Sequence, residues 1–373
     1  MPDLVVTNIN DVLTASNIKV NWEKRSIYQE DPLLLSEVFP SKKVQGLQAS
    51  YLKGFQEVTA ALQPAAFDTK PVVGLFSLNL KNTDIDLFFF RESFVVGEKM
   101  RQDIDTFLAK GYQYAAALIQ DAYEQNVKFV DKALVSTELM RAGCLTEGKF
   151  TIASSDDNGR RIINQMNYDP TNAWHENGIN YVVLSGNSRW LTANAAQDDF
   201  NPYSQLQARI KAIRIATGKI IKRVYLNSTT FDAMLKSEKI RKYINPVGYA
   251  NALITNNSIT TFMESELGVK FILVDRVYAD LNTGATTQMF PDGYVSLIPQ
   301  TPVGYTCYGT TPEEHDLMNG KVSGSVDVQI VNTGVAITTL VEVGPPVQTK
   351  TVVSEVVSPT FESMDSICSM KVF

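Results

Sequence analysis

One segment constrains this chain more than any other. From Met100 to Thr137, apolar residues recur at steps near three and four through Ile104, Phe107, Leu108, Ala115, Leu118, Ile119, Ala122, Val127, Val130 and Leu134. Asp103, Asp105, Lys110, Gln120, Gln125 and Lys128 fall mostly off that stripe. This is the period of an α-helix with one buried face. Gly111 weakens its middle, and the run is expected to close near Arg141-Ala142-Gly143. A continuous helix over about 98–141 would be about 60 Å long, about twice the diameter of a small domain. Both ends of such a strut outrun the core one ordinary domain supplies, so its apolar face is expected to be covered from outside the single subunit.

The text before the helix also reads as needing support. Residues 1–45 carry the apolar clusters Leu4-Val5-Val6 and Leu33-Leu34-Leu35, broken by Asn, Asp and Pro, with no sustained period. They read as an extended arm lying on another part of the fold or on another chain. Residues 46–95 read as an extended loop of short strands, kept irregular by Pro64 and Pro71. Within it, Leu78-Asn79-Leu80 and Ile85-Asp86-Leu87 are expected to form a hairpin around the turn Lys81-Asn82-Thr83-Asp84.

After the helix, Phe150-Thr151-Ile152 opens β-rich text. Pro202 to Thr217 predicts an amphipathic helix through Leu206, Ile210, Ile213 and Ile215, closed by Gly218 and followed by a strand at Arg223 to Leu226. A helix at Thr229 to Ser237, capped by Ser228 or Thr229, and one at Ile259 to Leu267, ended by Gly268 before the strand Val269 to Val274, repeat the order helix, Gly, strand. Helices packed on a sheet over about 195–310 are expected. Two alternating segments, Ser325 to Val331 and Val335 to Val343, flank Asn332-Thr333-Gly334 and predict a hairpin.

The search for chemistry returns little. Lys plus Arg number 34 against 40 Asp plus Glu, a net charge of -6, so no basic excess is available to neutralise a nucleic-acid backbone. The two histidines, His175 and His315, sit at no metal-ligand spacing. Thr311-Pro312-Glu313-Glu314-His315-Asp316 reads as a capped helix start, with Pro at its first position and acids in its first turn. Ala216-Thr217-Gly218-Lys219 lacks the first glycine and the hydroxyl of a phosphate loop. Asn227-Ser228-Thr229 reads as a helix cap rather than a glycosylation acceptor. Cys144, Cys307 and Cys368 are odd in number and widely spaced, which fits inert thiols in a reducing compartment. No apolar run approaches a membrane span, and the first residues lack the pattern of a secretory signal, so cytoplasmic synthesis is expected.

An ordered series of short strings then carries a resemblance. Phe88-Phe89-Phe90, Glu98-Lys99-Met100-Arg101-Gln102, Asp121-Ala122-Tyr123, Thr137-Glu138-Leu139-Met140-Arg141 and Leu145-Thr146-Glu147-Gly148-Lys149 are followed by Trp190, Asp199 to Pro202, Pro291-Asp292-Gly293 and Tyr308 to Glu314. Together they resemble the major capsid protein E family of tailed bacteriophages, of lambda type, over nearly the whole chain; residues 1–75 match it least. The resemblance implies an α+β chain of the Hong Kong 97 type phage capsid fold. Its parts would be an N-terminal arm (1–45), an extended β-hairpin loop (46–95), a peripheral domain (96–194) with the spine helix, an axial α/β domain (195–310), and a return to the peripheral domain (311–373).

It implies hexamers and pentamers in an icosahedral shell, scaffolding, portal and decoration proteins as partners, and enclosed double-stranded DNA without sequence-specific binding. No catalytic residue, cofactor, metal or membrane is implied, and the chain would be assembled in the host cytoplasm and reside in the virion. Glu98, Arg101, Glu138 and Arg141, near the two ends of the helix, are the candidate subunit contacts. The alternatives are a tail or baseplate protein, or the shell protein of a bacterial nanocompartment.

Overall fold

The computed structural model describes residues 14–26, 33–54, 80–109, 113–155, 161–246, 254–279, 284–321, 326–342, 344–345 and 347–373. Along the chain come α1 (Ala15–Ser26), β1 (Ser41–Lys43), β2 (Gln48–Gly54), β3 (Leu80–Asp86), β4 (Phe88–Val96), α2 (Glu98–Ala109), α3 (Gln113–Glu147), β5 (Lys149–Ser155), β6 (Arg161–Asn167), α4 (Ala173–Glu176) and β7 (Tyr181–Val183). Then follow α5 (Pro202–Thr217), β8 (Ile221–Leu226), α6 (Ser228–Leu235), α7 (Glu238–Ile244), α8 (Asn256–Leu267), β9 (Lys270–Leu273), β10 (Val277–Ala279), β11 (Thr286–Gln288) and β12 (Tyr294–Pro299). The last are β13 (Thr306–Tyr308), α9 (Pro312–Met318), β14 (Val326–Val331), β15 (Val335–Glu342), β16 (Gln348–Pro359) and β17 (Cys368–Lys371).

Two sheets organise these elements. The first has six strands in the order β1-β13-β16-β15-β14, with β4 on the other side of β16. The twelve-residue β16 is its axis, pairing antiparallel with β15, β13 and β4. The hairpin β14/β15 forms as its alternation predicts, with Asn332 in the left-handed conformation at its turn. The second sheet has five strands, β7-β17-β12-β8-β9, covered by helices on a core that includes Trp190, Phe200, Leu206, Ile213 and Met263. A third cluster, with Phe39, Phe150, Tyr168, Trp174, Phe290 and Phe361, joins the two. β17, the last strand, lies in the second sheet between β7 and β12.

The long helix runs past its expected end. Its second part, α3, continues to Glu147, 35 residues or about 52 Å, while residues 110–112, where Gly111 was expected to weaken it, lie outside the described residues. Gly143 is no helix stop: a Cβ there would stand 2.7 Å from the Phe150 Cβ and 2.8 Å from the Lys149 carbonyl oxygen, so glycine is required for close approach of the following strand. The stop is Gly148, with φ +63° and its amide donating to the Cys144 carbonyl. Two more of the final carbonyls accept hydroxyls from the second sheet, Ser296 to Leu145 at 2.7 Å and Ser369 to Thr146 at 2.6 Å. The extra turn therefore places the helix C-terminus where buried donors satisfy it.

The expected hairpin turn at Lys81 to Asp84 is a strand instead. β3 runs straight through it and pairs antiparallel with β2, Gln48 opposite Asp86 and Gly54 opposite Leu80. The alternation continues across the supposed turn, with Asn82, Asp84 and Asp86 exposed and Ile85 and Leu87 buried. Asn-Thr offers no primed-turn conformation to interrupt it. Helix α5 matches its predicted limits, with Asn201 as cap, Pro202 in its first turn and Gly218 as stop. Its buried stripe leaves Ile215 aside at 69 % exposed and ends on Thr217.

Candidate assembly surfaces and a buried charge network

The four charged candidates on the long helix fall into two unlike settings. Glu138 and Arg141 are 1 % and 2 % exposed and pair with one another at 2.8 Å, one turn apart on α3. Arg141 Nε donates to Thr306 Oγ1 at 2.9 Å, and the other Glu138 oxygen accepts the Leu35 amide at 2.8 Å. Thr306 Oγ1 in turn donates to the Phe39 carbonyl at 3.0 Å. This pair is committed inside its own chain. At the far end, Glu98 Oε1 accepts the Val347 amide at 2.6 Å, and Arg101 Nη1 is buried with no hydrogen-bond partner among the described residues.

The sequence reading missed a third charge in the same seam. Glu355, on β16, is 1 % exposed, and neither of its oxygens has a hydrogen-bond partner among the described residues. Burial pushes its carboxyl up to about 8; the Arg141 charge and the nearby Thr137 hydroxyl act the other way and are outweighed. Thr137 already donates its proton to the Ala133 carbonyl at 3.2 Å. In sequence, Glu355 stands in the alternating strand text Ser354-Glu355-Val356-Val357, where a lone acid gives no sign of facing a helix.

The described helix of the arm finds cover within its own chain. Helix α1 packs Ala15 and Ile18 against Val127 and Val130 of α3 and against Val331, Val335 and Ile337 of the first sheet. Trp22 Nε1 donates to Asp131 Oδ1 at 3.1 Å, and the Ser16 amide to Asp327 Oδ2 at 3.1 Å. The expectation that cover for the long helix must come from outside the subunit is thus corrected from Val127 onward. Of the predicted stripe, Ile104 and the positions from Phe107 to Ala122 lie outside the described side chains, as do Leu4-Val5-Val6, Pro64 and Pro71. The ribbon β2/β3 rests Ala49, Tyr51 and Ile85, with Leu87 just after it, on Cys307 and Val356, leaving Leu52 56 % exposed.

The remaining motifs have local roles. Asn227, rather than Ser228 or Thr229, caps α6; it is fully buried, and its amide donates to Gln288, Phe290 and Asp292. Thr311 caps α9 through the Glu314 amide, with Pro312 at the first position. His175 Nδ1 lies 2.8 Å from Asp169, which also accepts the backbone amides of Trp174 and His175 at the start of α4. The three cysteines are buried and free; burial pushes the Cys307 thiol up to about 11 and that of Cys368 up to about 12. Among the described residues, no group of three or more His, Cys, Asp or Glu could hold a metal, and no helix is long and apolar enough to cross a membrane.

Solved structures supply the comparison. A protein described as the capsid protein of a prophage from Escherichia coli CFT073 superposes with a TM-score of 0.54, covering 98 % of this chain and 99 % of its own at 12 % identity. The chain has the fold of a phage capsid protein. A phage-related protein from Bordetella bronchiseptica RB50 superposes with a TM-score of 0.53, covering 96 % of this chain and 97 % of its own, also at 12 % identity. No protein-family model matches the chain, and no curated protein matches it in sequence. The shared capsid fold is therefore mixed α+β and spans nearly the full length.

Proposed function

We propose that this chain is the major capsid protein of a tailed double-stranded DNA bacteriophage, of the major capsid protein E type, self-assembling into the hexamers and pentamers of an icosahedral shell. The observation that carries the reading is the match to the prophage capsid protein, which covers 98 % of this chain and 99 % of that one. In this reading, 1–45 is the arm, β2/β3 the base of the extended loop, α2 and α3 the spine, and the second sheet the body of the axial domain. The role is mechanical, without catalysis or cofactor. Scaffolding, portal and decoration proteins are its expected partners.

Glu98 and Arg101 remain the proposed subunit contacts among the four charges, since Glu138 and Arg141 are buried and paired with one another. A net charge of -6 suits a wall that lets packed DNA slide without binding it. The test is negative-stain microscopy of the overexpressed full-length chain. Closed shells support the proposal, and dispersed single chains overturn it. Nucleic acid extracted from nuclease-treated native particles separates the two kinds of shell: genome-length DNA indicates a virion, and protein cargo without DNA a nanocompartment.

A further inference from the structure

The network at the seam between α3 and the first sheet has one member too many. Arg141 is matched by Glu138 at 2.8 Å, and each Glu138 oxygen accepts one bond, from Arg141 or from the Leu35 amide. Glu355 sits beside this matched pair with both oxygens unpartnered among the described residues. The polar and titratable groups that act on it are Thr137 and Arg141 from α3 and Tyr308 from β13. Phe90 of β4 and Val335 of β15, in register on either side, bring no charge. The Tyr308 phenol is itself pushed up by burial. Arg141 is thus the cation whose field reaches Glu355.

Arg141 is also linked to a segment of the arm region. Leu35 is tied to it through Glu138 and Phe39 through Thr306, so the buried residues at both ends of the stretch Leu35 to Phe39 each reach that guanidinium through one intermediary, while the Val303 and Thr306 amides hold the Val38 and Pro40 carbonyls. We propose that Glu355 is a proton-dependent latch: neutral, it leaves Arg141 holding the Leu35 to Phe39 segment on α3, and ionised, it competes for Arg141 and loosens that hold. The latch belongs to the single chain and does not depend on shell assembly.

The direction follows from linkage. A carboxyl held above its ordinary 4.5 in the closed form binds its proton more tightly there than in the open form. Stability of the closed form is full below that ordinary value, falls as the pH rises towards about 8, and is level above it. Hydrogen exchange of the Leu35 amide in the full-length chain, corrected for base catalysis, reads this directly. Its protection is expected to fall by roughly tenfold per pH unit at the steepest in the natural protein and to stay flat in Glu355→Gln. Equal slopes in the two proteins would overturn the latch. A second measurement needs no variant: infrared difference spectra of the natural protein should show a protonated carboxyl persisting at neutral pH, and its absence would equally overturn the proposal.

Discussion

The two sheets hold their helices by different physics. Over the second sheet, Trp190, Phe200, Leu206, Ile213 and Met263 form an apolar core, with Asn227 capping α6 and Ser237 donating to the Phe200 carbonyl at 2.8 Å beside it. Against the first sheet, the long helix brings an ion pair into the interior, with a further carboxyl unmatched. An apolar core is indifferent to pH, whereas removing one partner of a buried ion pair strands the other. The stability of the two regions is therefore expected to differ in its dependence on pH.

The comparison breaks hardest at Glu138. Replacing it with Ala should cost about 3–5 kcal/mol in denaturant unfolding, because Arg141 keeps its charge and Leu35 loses its acceptor. The double variant Glu138→Leu, Arg141→Met should regain about half of this, short by about 1–3 kcal/mol for the orphaned Leu35 amide. Trp190→Ala should cost about 3–5 kcal/mol as well, since the ring is fully buried. Its effect should be the same at acid and alkaline pH, and a pH-dependent loss there would erase the distinction between the two regions. Asn227→Ala should cost about 1–2 kcal/mol through its cap. Least of all, Lys132→Ala, which breaks a pair with Glu92 in which both side chains are 45 % exposed, should change stability by about 0–1 kcal/mol and less in high salt.

Legibility in the sequence divides along the same line. The second region announced itself through local signals: Pro202 and Gly218 bracket α5, Gly268 ends α8, and a strand follows each helix within a few residues. The first region is joined by distant pairings. Leu35 meets Glu138 across 103 positions, and β4 meets β16 from opposite ends of the chain. No periodicity reports such contacts. The described helix of the arm, α1, lies on α3 and the first sheet of its own chain, one of the two covers its broken apolar clusters call for. Gly143 looked like a helix stop because a glycine required for close approach and one required for a left-handed turn are the same letter. The capsid resemblance came from short strings in order along the chain, and the fold that it implied is the one observed, mixed α+β and matching phage capsid structures.

Whether many copies of this chain close into a shell is tested most directly by sedimentation velocity of the purified full-length protein over a rising concentration series. The account expects a discrete, very large particle with little material between it and the smallest assembly unit. A single-chain species persisting at the highest concentration, with no faster boundary, would contradict it.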